Sequence, residues 1–530
     1  MEESAVRYGD RLAVIDGPVR LTFTELAAQV RMMSRALIAA GVEPGDRVGI
    51  WLPNDYRWIV AAVAAHRVGA VVVPVNTRFG GRETTDILLR AGVRVLFLPD
   101  EFLGTDYLKM LLESSGGASA HSIAAGLPAL SLAVKIPLTG ASVATTPQVT
   151  SWEALLGRAD EVTAKVADVR LAAVTGEDVA DIFFTSGTTG KPKGAMSAHR
   201  QTLAVAEAWA DCAEVREGDV FMIIAPFFHT FGYKAGWVVC LMRGATILPQ
   251  LTFDVDAVIR TIERERVSIL PGPPTIFQML LAHPDRDSYD LSSLRVAVTG
   301  SAAVPVSLIE RMREELTFKV IITAYGLTEA VVVTMCRSDD SPETISTTSG
   351  RATTEFEVRI ADPENRQLAL GQEGEIQLRG PNVMLGYLND PQATAATVTS
   401  DGWFKTGDIG HMNAAGYVTI TDRLKDMFTV GGFNVYPAEV ENILAAHRDI
   451  GDSAVVSKPD ERLGEVGVAY VIRSATGQEL TEQDVIAHCR GELANFKVPR
   501  QVVFLGALPR NAAGKVLKGE LRDRLRGDAG

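Results

Sequence analysis

Residues 181–194 read Asp-Ile-Phe-Phe-Thr-Ser-Gly-Thr-Thr-Gly-Lys-Pro-Lys-Gly, a short apolar strand running straight into a loop of small, hydroxylated and cationic residues. The loop starts at Thr185 and holds Ser186, Gly187, Thr188, Thr189, Gly190, Lys191 and Lys193. Glycines let several backbone N–H groups face one centre, the hydroxyls add donors and the lysines add charge. Such a segment suits a polyphosphate. It is not a Walker A loop: only Thr188 and Thr189 separate Gly187 from Gly190, and Pro192 follows Lys191 where Ser or Thr is required. For an isolated Gly-rich stretch a plain strand-to-helix turn is the commoner outcome, and the length of this pattern tells against it.

On both sides of the loop, apolar runs alternate with amphipathic ones. Strand-like runs are RVGIWL (47–52), AVVVPV (70–75), VRVLFL (93–98), VFMIIA (220–225), ATILP (245–249) and LRVAVTG (294–300). Between them lie helical periods such as 23–40 and 255–266. That order predicts an α/β fold, its sheets covered by helices. Residues 104–150 are rich in Ala, Ser, Gly and Thr, and read as a surface excursion with little regular structure. After about residue 341 short strands with Gly and Pro punctuation predict a β-rich subdomain: EFEVRIAD, GEIQLRG and GYVTITD. A final α+β unit follows, with helices at 437–446 and 482–493. The expected division is a large domain over 1–424, with α/β subdomains at about 1–175 and 176–340 and the β-rich subdomain at 341–424, followed by a small domain over 425–530.

Composition excludes several classes. A chain of 530 residues is too long for one core, and at roughly 150 residues per domain it predicts about three structural units. The net charge of −13 argues against nucleic acid as a bulk electrostatic partner. Cys212, Cys240, Cys336 and Cys489 are widely spaced, so neither a disulfide framework nor a zinc site is indicated. The start, MEESAVRYGDR, lacks an apolar signal core. The most apolar stretch, 59–75, is broken by His66, Arg67 and Pro74, so it reads as a buried helix leading into a strand and not as a membrane span. A cytoplasmic protein is expected.

Further segments stand in a fixed order after the loop. They are Pro226-Phe-Phe-His-Thr-Phe-Gly232, Gly300-Ser-Ala-Ala303, Tyr325-Gly-Leu-Thr-Glu329, Lys405-Thr-Gly-Asp408, Asp422-Arg-Leu-Lys-Asp426 and Pro509-Arg-Asn-Ala-Ala-Gly-Lys515. Together with the loop they resemble the adenylate-forming superfamily of acyl-CoA synthetases, luciferases and peptide-synthetase adenylation domains. The resemblance covers nearly the whole chain. It implies ATP-dependent activation of a carboxylic acid as its acyl-adenylate, with Mg²⁺, and transfer of the acyl group to a thiol, coenzyme A in the ligases.

The resemblance also implies roles, and each residue type suits its own. Tyr325, with Ala324 and Gly326, offers a flat face to adenine beside Gly300, Ser301 and Ala302, whose small side chains let the base approach the backbone. A Tyr before Gly is, taken alone, more often simple core. Thr328 meets phosphate oxygens, and Glu329 supplies a hard oxygen ligand for Mg²⁺. Asp408 and Arg423 hold the ribose. Lys515 bridges carboxylate and α-phosphate, where two anions meet and charge builds on the phosphoryl oxygens; removing such a group costs on the order of 10²–10³ in rate. A solvated loop lysine is the plain alternative. Lys425 marks the hinge of a mobile C-terminal lid. Gly431 and Gly432 line the thiol tunnel, although many relatives have Lys-Gly there. His229 gates between acyl pocket and tunnel, in a pocket shared with Phe231, Tyr233, Pro273, Gly300 and Gly326.

The acid is read as unfunctionalised or keto-substituted, since no Asp suited to an amino acid's amine stands out. Four stretches, FFHTFGYKAG, LPGPPTIFQ, TAYGLTEA and PRNAAGK, resemble actinobacterial ligases of steroid-ring breakdown, which attach CoA to a bicyclic indane-dione propanoate. Medium- or long-chain fatty acids are the main alternative within the class. Outside it stand an acyl-AMP ligase that loads a carrier protein and an inactive binding module, the latter disfavoured by Glu329, Asp408, Arg423 and Lys515. Assembly as a homodimer is left open.

Overall fold

Parallel strands need crossover connections, and the alternation of β-branched runs with amphipathic helices supplies them twice over, in two large sheets. The computed structural model describes the chain except residues 117–125, 139–145, 186–191, 301–303, 424–425, 431–432, 436, 461–462, 476, 494, 511–515 and 528–530. For residues 422–423, 429, 433–434, 491 and 526–527 only the backbone is described.

The first sheet has nine strands. Its parallel centre runs Leu12–Asp16, Thr246–Pro249, Val220–Ile223, Ile269–Pro271, Val296–Thr299 and Val320–Tyr325. Short antiparallel strands close both edges. The second sheet has eight strands. Val179–Thr185, Val71–Pro74, Arg47–Ile50, Val93–Pro99, Leu132–Ile136 and Val149–Ser151 are parallel. Lys193–Ala198 then folds back on Val179–Thr185, and Gly386–Tyr387 pairs outside it.

One continuous core joins the two sheets through the helices Phe23–Ala39, Tyr56–Arg67 and His199–Cys212. The helix Phe23–Ala39 starts with a capping box: Thr22 Oγ1 accepts from the Glu25 N–H at 3.1 Å, and Glu25 Oε2 accepts from the Thr22 N–H at 2.8 Å. Tyr56–Arg67 buries Trp58, Ile59, Val60, Ala61, Ala62, Ala64 and Ala65, which leaves it hardly any polar face. A helix apolar nearly all round belongs in an interior, so the apolar run at 59–75 is a core helix and a strand, as its interruptions predict. Among the described residues no helix is long and apolar enough to cross a membrane.

Two expectations need correction. The large sheets do not divide near residue 175. The pair Leu12–Asp16 and Val19–Thr22 completes the sheet built otherwise from residues 220–352, and Val179–Thr185 and Lys193–Ala198 extend the sheet built from 47–151. Nor is 104–150 a surface excursion throughout: Leu132–Ile136 is an interior strand with Ala133, Val134 and Ile136 buried. Its five residues carry no alternation because both faces are covered, and so no period marks them.

Beyond these sheets, Glu357–Ala361, Gly374–Arg379, Phe404–Met412 and Val418–Arg423 form a four-stranded antiparallel sheet. The last unit pairs the long strands Ile450–Asp460 and Gly464–Arg473, with Gln501–Phe504 parallel to the latter. It has its own core of Phe428, Val440, Leu444, Val455, Ala469, Val485 and Cys489.

Candidate active site

In open α/β sheets ligands gather beyond the carboxyl ends of parallel strands. Here the ends of four neighbouring strands deliver, in order across the sheet, the turn after Ile223 with His229, the turn after Pro271 with Pro273, the turn after Thr299 with Gly300, and Tyr325 itself. Gly300 lies against its neighbour strand, since a Cβ there would stand 3.2 Å from the Ala324 carbonyl oxygen. Gly326 is still more constrained: a Cβ would lie 1.7 Å from the Val331 carbonyl oxygen, so no other residue fits. The tight turn beyond it is closed by the Val333 N–H donating to Tyr325 O at 2.9 Å.

The turn places Glu329 among groups from two distant segments. Tyr387 donates its hydroxyl to Glu329 Oε1 at 2.8 Å, and Lys193 Nζ stands 5.0 Å over the Tyr387 ring. Burial, followed by the Glu329 charge, raises the Tyr387 phenol far above its ordinary pKa, so it remains a donor. The last loop residues are thereby brought to Glu329. From the other side the Arg90 guanidinium donates to Pro192 O at 2.6 Å and lies 5.3 Å over the Phe184 ring, while Thr185 donates its hydroxyl to Lys193 O at 3.4 Å. Thr328, next to Glu329, is half-buried.

Tyr325 and Asp408, expected at adenine and ribose, meet directly: the Tyr325 hydroxyl donates to Asp408 Oδ2 at 2.5 Å. Both are largely buried, and Asp408 stands opposite Arg423 in the antiparallel ladder. Gly407, with φ of 70°, supplies the left-handed turn before it, and Asp408 N–H donates to Thr406 Oγ1 at 3.0 Å.

His229 caps the one-turn helix Thr230–Gly232, its Nδ1 accepting from the Phe231 N–H at 3.2 Å. His229 is exposed, and desolvation by the protein packed around it lowers its pKa below the ordinary imidazole value. Gly232 is obligatory: a Cβ would come within 2.3 Å of Pro226 O. Phe231 is half-buried and Pro273 exposed. Tyr233 is a correction. It is completely buried, stacked on Trp237 at 4.5 Å and edge-on to Trp58, so it belongs to the core and presents no surface to a pocket. Its ring packs into the core beside Trp58 and Trp237.

Some expected site residues lie outside the described residues: Ser186, Gly187, Thr188, Thr189, Gly190, Lys191, Ser301, Ala302, Lys425, Gly431, Gly432 and Lys515, and the side chain of Arg423. Conversely, sequence reasoning missed Tyr387, Arg90 and Asn382. The last is buried and donates to Ala330 O at 2.6 Å and Val332 O at 3.1 Å, holding the turn that carries Glu329. The only signal was the segment Gly380-Pro-Asn-Val-Met-Leu-Gly-Tyr387, whose glycines and proline read as a loop.

Residues 1–388 match the AMP-binding enzyme family and residues 439–515 the AMP-binding enzyme C-terminal domain. The chain is 53% identical, over 99% of its length and 97% of the relative's, to the 7a-methyl-1,5-dioxo-octahydroindenyl propanoyl:CoA ligase of Rhodococcus jostii (strain RHA1). It is 51% identical to the Mycobacterium tuberculosis protein of the same name, over 97% of this chain and 96% of that one. Among solved structures, an anthranilate CoA ligase in complex with anthranoyl-AMP superposes with a TM-score of 0.85 at 26% identity, covering 100% of this chain and 96% of the other. The chain belongs to the AMP-binding enzyme family and is an adenylate-forming acyl-CoA synthetase.

Proposed function

We propose that the enzyme joins a bicyclic indane-dione propanoate to coenzyme A, consuming ATP and releasing AMP and pyrophosphate. The observation that carries the substrate is the 53% identity, over nearly the full length, to a ligase named for that acid. Relatives named as a putative acyl-CoA synthetase or a medium-chain acyl-CoA ligase stand at 34% and 33%. Phe231 and Pro273, following adjacent strands beside the accessible His229, offer the apolar wall a fused carbocycle requires.

In this reading the acid's carboxylate attacks the α-phosphorus of ATP, the bond to pyrophosphate breaks, and the acyl-adenylate forms. The glycine-rich segment from Thr185, with Lys193, holds the phosphates, and Asp408 with Arg423 the ribose. Lys515 offsets the repulsion between carboxylate and α-phosphate. Glu329 fits a Mg²⁺ ion: Tyr387 engages only one carboxylate oxygen, and among the described residues no cluster of three or more His, Cys, Asp or Glu competes as a metal site. A single carboxylate completed by substrate phosphates and water is what Mg²⁺ prefers, and the bound ion would neutralise phosphate charge. The CoA thiol then attacks the acyl carbon and AMP leaves, with Gly431 and Gly432 lining its approach. We divide the chain into domains 1–424 and 425–530 with a hinge at Lys425, supported by the separate core of the C-terminal unit. The four cysteines, all buried and unpaired, fit a reducing cytoplasm.

Pyrophosphate release with ATP and Mg²⁺ across a panel of acids, with and without CoA, tests the proposal. Turnover requiring both CoA and the bicyclic acid is expected. Preference for straight-chain acids would overturn the substrate, and release indifferent to CoA would point to a carrier-protein acceptor.

A further inference from the structure

The strand that ends at Thr185 is tied twice to the segment that follows His229. Lys234 is 1% exposed, and its Nζ lies 2.8 Å from Asp181 Oδ1, itself 0% exposed. One residue earlier on each side, the Ala180 carbonyl oxygen and the Tyr233 hydroxyl both lie 3.1 Å from His66 Nε2. Thr202 donates its hydroxyl to Asp181 Oδ2 at 3.2 Å, and Lys234 Nζ also stands 5.4 Å over the Phe183 ring. Residues Tyr233–Trp237 form a π-helical turn, a widened geometry frequent at functional sites.

A buried ion pair is a poor source of stability. Desolvating both charges offsets their attraction, and well-packed apolar residues in the same space are often as stable or more so. What the pair does enforce is register. A turn that slid along the strand would leave a naked ammonium and a naked carboxylate in the core, which is strongly destabilising. The second bridge, through His66, fixes the neighbouring residues in the same alignment.

We propose that the Lys234–Asp181 pair, with the His66 bridge beside it, is a positioning device for adenylation. It sets the strand that delivers the glycine-rich segment against the helix that carries His229, and so the α-phosphate of ATP against the acid's carboxylate. The inference rests on the ATP and acid sites proposed above. Loss of alignment by about 1 Å costs on the order of 100-fold in such a reaction.

The test is the near-isosteric neutral pair Lys234→Met with Asp181→Asn, assayed for acid-dependent pyrophosphate–ATP exchange, for conversion of supplied acyl-adenylate with CoA, and for melting. Expected are an exchange kcat lower by about 10- to 100-fold with KM values within about threefold, wild-type conversion of the supplied adenylate, and a near-native melt. Unchanged exchange, or equal loss in both half-reactions, would overturn the positioning role. Should the double variant fail to fold, Thr202→Val and Tyr233→Phe each remove one hydroxyl at constant shape. The same split, at about threefold or more, is then required, and wild-type rates in both steps would overturn it. Wild-type enzyme is the control: no exchange with the bicyclic acid sinks the proposed substrate, whereas exchange with undisturbed variants sinks only the positioning role.

Discussion

Glu329 carries one half of a pair whose other half is 58 residues away. The Tyr387 hydroxyl donates to its Oε1, and because the phenol is held far above its ordinary pKa it cannot compete as an anion. A hydrogen bond to a charged group contributes roughly 1.5–3 kcal/mol. Tyr387→Phe keeps the ring, its burial and its contact with Lys193, and removes only that bond. The Mg²⁺ concentration for half-maximal pyrophosphate release is therefore expected to rise by about tenfold, with a smaller change in the rate at saturating metal. An Mg²⁺ titration of both enzymes checks this, and superimposable curves would detach Tyr387 from the proposed metal site. At this scale sequence reading reaches residues that sit together in one short segment, as Tyr325 and Glu329 do. Tyr387 escaped because its role exists only across the fold. Tyr233 misled because His229, four residues earlier, is exposed while its own ring is buried in the core.

The element that sequence reading passed over is the irregular strap at residues 380–388. Met384 N–H donates to Glu329 O at 2.7 Å, Leu385 N–H to Met196 O at 2.8 Å and Leu388 N–H to Gly194 O at 2.7 Å, so one segment binds the Glu329 turn to the hairpin bearing the loop. Asn382 anchors its start by donating to two carbonyls on either side of Val331, which holds a φ of 63° that a β-branched residue rarely adopts. Two buried acceptors left without a donor cost about 1–3 kcal/mol each. Asn382→Ala should lower the melting temperature by a few degrees and pyrophosphate exchange by about tenfold. Asn382→Asp should be worse than alanine, because an ionised carboxylate is acceptor-only and faces two carbonyls. Aspartate equal to or better than alanine in both measurements would refute the anchoring role. Elements marked by a clear apolar run, such as Tyr56–Arg67 and Val93–Pro99, were legible. The strap and Leu132–Ile136 were not, one because its order comes from partners in other segments, the other because it is short and covered on both faces.

At the scale of the molecule, sequence order misled about which strands share a sheet: a hairpin at residues 12–22 closes a sheet built two hundred residues later, and only long-range pairing records that. In the C-terminal unit, separated in the reading proposed above, Phe428, Val440, Val455 and Val485 pack into a cluster of their own. That separation bears on Lys515, which sits in the C-terminal unit while Glu329, Asp408 and His229 sit on the larger one. If the lysine serves only the attack on the α-phosphate, its charge is needed where two anions converge and is idle once pyrophosphate has gone. Lys515→Ala should then lower acid-dependent pyrophosphate exchange by at least about 10²-fold while acyl-adenylate supplied from outside is still converted to acyl-CoA at close to the wild-type rate. Both half-reactions measured on the same preparation decide it. Parallel loss would mean that Lys515 supports the fold or both steps alike, and the division of labour between the two units would have to be abandoned.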